Sequence, residues 1–178
     1  KIYIDSMDFD KANALTEQMI IKLFAEKRVD KKADIRHRYL GAATPKGASD
    51  FVPNITEGLT KRYFIKGRPG SGKSTMLKKI AAEAEDRGFD TEVYHCGFDP
   101  YSIDMILVRE LGFAIFDSTA PHEYFPDRRG DEIVDMYGTI IAPGTDEANA
   151  EKINDVSKRY REKMKKGTAA LLKAKNFH

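Results

Sequence analysis

The chain has 178 residues, 41% of them hydrophobic and 33% charged, with a formal net charge of +2. That size suits one domain, or one domain plus an arm, and the near-neutral balance excludes a whole-chain electrostatic case for nucleic acid or a membrane surface. No apolar run approaches the ~18 residues of a membrane span, no signal-peptide pattern opens the chain, and the single cysteine, Cys96, excludes an internal disulfide and fits a reducing cytoplasm. The first residue is Lys1 rather than methionine, so the chain is read as a fragment or processed piece.

In chain order, "KIYID" (1–5) is expected as a short strand. From Asp8 to about Arg28, Ala12, Leu15, Met19, Leu23 and Phe24 recur at helical spacing, with Asp8 as the N-cap. The lysine-rich "EKRVDKKADIRHR" reads as a connector, and "RYLGAATPKG" as a short strand ending in a Gly/Pro loop. Residues 62–66 have strand character. A helix over about 72–87 follows, with Leu77, Ile80, Ala81 and Ala84 on one face and Gly88 as its stop. "TEVYHC" is expected as a second strand, "DPYSIDMIL" as a short helix and "GFAIFD" as a third strand. This alternation predicts an α/β fold with a small, mostly parallel sheet flanked by helices. "STAPHEYFPDRRGD" is a long loop, and "DEIVDMYGTII" fits helix and strand equally. From about Thr145 to Lys166, Ile153, Val156, Tyr160 and Met164 form one stripe of an amphipathic helix. Its basic opposite face reads as solvated, so a nucleic-acid partner is not expected.

The chemistry concentrates in "GRPGSGKST", which matches G-x-x-x-x-G-K-[ST] at Gly67, Gly72, Lys73 and Ser74. Glycines let consecutive backbone N–H groups turn inward on phosphate oxygens. The helix behind them adds its N-terminal donors. Gly67, Pro69, Gly70, Ser71, Gly72, Lys73, Ser74 and Thr75 are therefore the expected binding residues for ATP. Lys73 reaches the β- and γ-phosphates and Ser74 ligates Mg2+. Average residue frequencies put a chance match at about one in a hundred or less, and the strand before and helix after make chance a poorer explanation still. Asp117 closes the strand "FAIFD" and is the expected second ligand on the Mg2+ side, over a plain strand-ending aspartate.

The segments "GAATPKG", "KRYFIKGRPGSGKST", "VYHCGFDPYSIDM", "FAIFDSTAPHEYFP" and "GDEIVDMY" resemble an uncharacterised family of bacterial P-loop ATP-binding proteins with two tandem P-loop halves. The resemblance covers about residues 36–145 and implies a P-loop NTPase fold, ATP binding and a cytoplasmic location. The chain looks like the C-terminal half, with residues 1–35 as a helical connector, 36–145 as the nucleotide-binding domain and 146–178 as a C-terminal amphipathic helix. A second P-loop half or a homo-oligomer partner is the implied protein partner. The resemblance supplies no substrate.

Ligands in parallel α/β sheets sit beyond the carboxyl ends of the strands. That places His95, Cys96, Asp99, Asp117 and His122 in one neighbourhood, if their strands are neighbours. Asp99 is a candidate base for a phosphoryl acceptor, against a turn-capping role. His95 and Cys96 read as packed rather than catalytic. His122 either contacts the γ-phosphate, orients water or lies exposed. Arg128 and Arg129 are candidate lid residues, against solvated arginines. Ser118 follows Asp117 where motor ATPases place a glutamate, and no N-K-x-D stretch selects guanine. The expected activity is slow ATP hydrolysis in a switch or assembly ATPase. The alternatives are a small-molecule or nucleotide kinase and a non-catalytic nucleotide-binding module.

Overall fold

The computed structural model describes residues 1–120 and 123–177. Helices α1 (Ile2–Asp5) and α2 (Phe9–Phe24) come first, then strands β1 (Ile35–Tyr39), β2 (Gly41–Thr44) and β3 (Gly47–Asp50) and helix α3 (Val52–Ile55). Next are β4 (Lys61–Lys66), α4 (Lys73–Asp86), β5 (Thr91–His95), β6 (Ile103–Val108) and β7 (Phe113–Asp117). The chain closes with β8 (Asp131–Asp135), α5 (Met136–Ile140), α6 (Thr145–Ala148) and α7 (Ala150–Asn176). Six strands form one sheet in the order β1-β5-β6-β7-β4-β8. β6 runs against both neighbours and the other pairings are parallel. β2 and β3 form a separate antiparallel hairpin. The chain is thus α/β with a mostly parallel, helix-flanked sheet.

Alternation along the strands builds two cores. Tyr63, Ile65, Ile106 and Ile115 face α2 and α4, meeting Phe24, Met76, Leu77 and Ile80. Phe64, Met105, Leu107 and Phe116 face the other way, toward Leu40 and Val52. Asp8 caps α2 by accepting the Lys11 N–H at 3.0 Å. α2 contributes Met19, Leu23 and Phe24 to the same core as α4. Gly88 follows α4 at φ +79, and a Cβ there would stand 2.2 Å from the Val29 carbonyl oxygen. Glycine alone lets the chain after α2 pass this closely.

Several expectations are corrected. Residues 1–5 form a helical turn, not a strand, because that turn brings the Tyr3 hydroxyl to Asp146 (2.9 Å) and its ring edge-on to Tyr137. The presumed connector contains β1, an edge strand whose exposed, charged side chains conceal it. "DPYSIDMIL" ends in β6, a strand, not a helix. Between β5 and β7 it is buried on both faces from Met105 to Val108, an unbroken apolar run that periodicity cannot separate from a short helix. "RYLGAATPKG" holds the end of β1 and the first strand of the β2–β3 hairpin, with Pro45 and Lys46 at its turn. "DEIVDMYGTII" is both things in turn, strand β8 and then α5, with Asp135 accepting the Gly138 N–H as the cap between them. α7 continues to Asn176 rather than ending near Lys166, and its Val156 and Tyr160 are 52% and 51% exposed. Among the described residues, no helix is long and apolar enough to cross a membrane.

Candidate functional site

The glycine loop lies between β4 and α4. Gly70 and Gly72 adopt left-handed φ values of +84 and +83, which side chains resist. The second turn starts α4 directly at Lys73, and the first helical bond runs from the Met76 N–H to the Gly72 carbonyl (3.0 Å). The N–H groups of Lys73, Ser74 and Thr75 therefore have no carbonyl one turn back and point out of the helix start. The Ser71 hydroxyl is fully buried in the loop without a hydrogen-bond partner among the described residues.

Lys73 is 8% exposed. Its ammonium donates to the Arg68 carbonyl at 3.0 Å and stands 3.5 Å from Asp117 Oδ2. Asp117 comes within reach because β7 pairs directly with β4, with Asp117 opposite Ile65. Its other carboxylate oxygen accepts from Thr119 Oγ1 (2.6 Å). Ser74 Oγ accepts the Ile103 N–H at 2.9 Å, tying α4 to the first residue of β6.

An acid absent from the sequence expectations completes this group. Between β5 and β6 the register passes from Tyr94–Met105 to His95–Ile103, so Asp104 is an extra, bulged residue. A bulge re-aims side chains at a strand end. Asp104 consequently lines the same cavity as Asp117, Lys73 and Ser74. Reading residues 99–107 as a helix hides Asp104, since a bulge is a property of register and leaves no compositional mark. Burial pushes the Cys96 thiol up, and its hydrogen bond to Asp104 adds to the effect, so Cys96 lines the cavity as a neutral thiol.

The cavity has a volume of about 590 Å³, within the usual range for small-molecule sites. It runs from Gly72–Thr75 to Asp104 and Cys96 on one side and to Ile4, Met7 and Phe9 on the other. The loop is braced from outside. Arg68 Nη2 donates to Asp146 Oδ2 (2.7 Å), and its guanidinium lies 5.0 Å from the centre of the Tyr137 ring. Asp146 also accepts from Tyr3, whose phenol is pushed up to about 12, first by burial and then by that carboxylate.

The other expected residues fall elsewhere. Asp99 is exposed, and both its oxygens serve its own turn, accepting from the Tyr101 N–H (3.0 Å) and the Ser102 hydroxyl (2.7 Å). Those bonds hold its carboxyl below the ordinary range, and it does not line the cavity. His95 turns toward the sheet edge, with Nδ1 on the Pro100 carbonyl (2.6 Å) and Nε2 2.8 Å from His37 Nδ1. His122 lies outside the described residues. Arg128 and Arg129, weighed as lid residues against solvated arginines, are exposed and lie away from the cavity. β8 is parallel to β4 and begins beside Arg62, so the loop before it must travel back to the opposite end of the sheet. There Arg128 donates to the Thr56 carbonyl (3.4 Å). Ser118, in the position after Asp117, clamps its own loop, donating to the Tyr124 carbonyl (2.7 Å) and accepting from the Tyr124 N–H (2.9 Å).

Among the described residues, no three His, Cys, Asp or Glu side chains are grouped to hold a metal. Mg2+ bound with phosphates needs only one or two protein carboxylates and otherwise keeps its waters. The oxygen donors of Ser74, Asp117 and Asp104 fit that demand, and the neutral Cys96 does not compete for it. Comparison of the chain with family models, curated proteins and solved structures returned no match.

Proposed function

We propose that this chain binds ATP with Mg2+ on a Walker A phosphate loop and hydrolyses it slowly, as a switch or assembly ATPase. The observation that carries the reading is the paired left-handed turn at Gly70 and Gly72, which opens α4 under a buried Lys73 held between Asp117 and the Arg68 carbonyl. Backbone N–H groups and a helix start then converge on one anion position. Lys73, now on the Arg68 carbonyl and beside Asp117, would hold phosphate oxygens, and Asp117 would be among the residues that hold the metal. The metal's chemistry, when bound, is to neutralise charge on the β- and γ-phosphates. Ser74, Asp117 and Asp104 hold that side of the site, and Lys73 holds the phosphate. Slow turnover follows from the acids available, since Asp104 and Asp117 are spoken for by the metal side and Ser118 is occupied by its loop clamp. An assembly role is supported by α7, whose apolar stripe is uncovered at Val156, Tyr160 and Leu172. The partner expected there is a second P-loop half or another copy of the chain.

A phosphotransferase is the second reading, favoured by the cavity's extension past Asp117 to Asp104, Cys96 and Ser102. Phosphate release from ATP, with and without a panel of hydroxyl acceptors, separates the two. Slow, acceptor-independent release is the expected result. ATP consumption that appears only with an acceptor selects the kinase, and absence of turnover in both settings removes the ATPase.

Asp104→Asn tests the metal side. The Mg2+ concentration giving half-maximal ATP binding is expected to rise about tenfold or more, with metal-free ATP binding no weaker. Titration of Mg2+ at fixed ATP reads this directly, and an unchanged midpoint removes Asp104 from the site.

A further inference from the structure

We propose that the pocket walled by α1, the start of α2 and the first turns of α4 is the base subsite of the nucleotide. It takes a purine by its face, stacked on Phe9 beside Ile4 and Met7. The inference rests on the triphosphate reading above and adds where the rest of the molecule goes.

The cavity is continuous from Lys73, Ser74 and Thr75 to Phe9, Asn13 and Lys79, so a ligand anchored by its phosphates has one apolar direction in which to extend. Phe9 is 60% exposed and Ile4 48% exposed, yet both stand on the wall of this cavity. Two large apolar side chains left bare on the wall of a cavity are what a planar apolar ligand would cover. The wall also meets the loop. A Cβ at Gly72 would lie 3.7 Å from Met7 Cε, and one at Gly70 would lie 3.8 Å from Ile4 Cγ1.

The wall is fixed in place. The Asp8 N–H donates to the Ile140 carbonyl (2.8 Å), the Ala142 N–H donates to the Ser6 carbonyl (2.9 Å), and Met7 bridges to Ile141. The Asp8 carboxylate is committed to the Lys11 N–H. Polar groups on this side are the Asn13 amide, whose oxygen accepts from Lys79 Nζ (2.8 Å), and the Thr16 hydroxyl, which donates to the Ala12 carbonyl. The carboxylates lining the cavity, Asp104 and Asp117, stand at the strand ends instead. The N1–H and exocyclic amine of guanine therefore meet no carboxylate here, which suits adenine.

The experiment compares ATP with inorganic tripolyphosphate, both with Mg2+, by titration calorimetry on this chain and on Phe9→Ala, Phe9→Tyr and Lys73→Ala. Base stacking predicts that Phe9→Ala weakens ATP about tenfold or more while tripolyphosphate stays within about twofold. Phe9→Tyr keeps ATP within about twofold, and Lys73→Ala weakens both ligands. Phe9 is exposed, so its replacement leaves the thermal midpoint unchanged as a control. If Phe9→Ala leaves ATP affinity intact, or weakens both ligands alike, the base subsite is overturned and the phosphate site stands. If the unaltered chain binds neither ligand, the triphosphate reading falls and takes this inference with it.

Discussion

Lys73→Ala is expected to lower ATP affinity about 10- to 100-fold, the usual worth of charge-assisted hydrogen bonds to an anion. Turnover should fall further, by about 10²- to 10³-fold, because developing charge on the transferring phosphoryl group loses its fixed cation. The size of the effect follows from where Lys73 starts. It is 8% exposed and already faces Asp117 at 3.5 Å, so its ammonium is delivered to the phosphates with little side-chain ordering left to do. Its removal also leaves Asp117 without its cation at the mouth of the loop, which repels a polyanion. Titration calorimetry and phosphate release read the two effects separately. Unchanged binding and turnover in this variant would sink the nucleotide assignment.

The largest stability effect is expected at the other end of the sheet. Arg62 and Asp131 form a paired contact across β4 and β8, with Arg62 Nε to Asp131 Oδ1 at 2.8 Å and side chains 6% and 2% exposed. Breaking such a buried pair from one side costs about 3–5 kcal/mol. Arg62→Leu should therefore lower Tm by roughly 6–20 °C in a chain of this size. Replacing both residues by leucine should recover much of that loss, since no uncompensated charge remains buried.

The pair also sets an acid limit. Burial alone would raise the Asp131 carboxyl, but Arg62 and the N–H groups of Asp127 and Arg128 outweigh it and hold it well below the usual range. A depressed folded-state pKa makes stability complete above the unfolded value of ~3.9 and lost as pH falls below it toward the folded value. Thermal unfolding between pH 6 and 2 should show the drop in the unaltered chain. A much flatter profile is expected in the doubly substituted one. Equal slopes would show that Asp131 is not the group responsible.

Local signals survived folding best. The glycine loop, the start of α4 and the Asp8 cap are each written in a few adjacent residues, and backbone sterics or one hydrogen bond settles them. The place of Asp117 at the end of a strand was legible because four apolar residues lead directly into it. What escaped depends on pairing. β1 is polar because it is an edge, and β6 is apolar without a break from Met105 to Val108 because it is central, so neither shows a strand's alternation. Asp104 reached the cavity through a register slip against Tyr94 and His95. The apolar wall around Phe9 was hidden because the backbone partners that fix it, Ile140 and Ile141, lie more than a hundred residues along the chain. Arg128 and Arg129 fall away from the cavity because β8 is parallel to β4 and starts beside Arg62, at the opposite end of the sheet.

The reversed direction of β6 has a further consequence. A parallel strand after β5 would require a long return crossover. An antiparallel one needs only residues 96–102, so this connection is a hairpin hung on the cavity's rim. Its ends are held by β5 and β6, and its middle, at Phe98 and Tyr101, is exposed. Lengthening a closed loop by a few residues adds little entropy cost, and here it would disturb no strand order. Residues could be inserted or exchanged beside Asp104 while Ser74 and Ile103 keep the far end of the loop in register. Within this fold, the hairpin is a stretch of the cavity's rim that can change length and sequence without rebuilding the core.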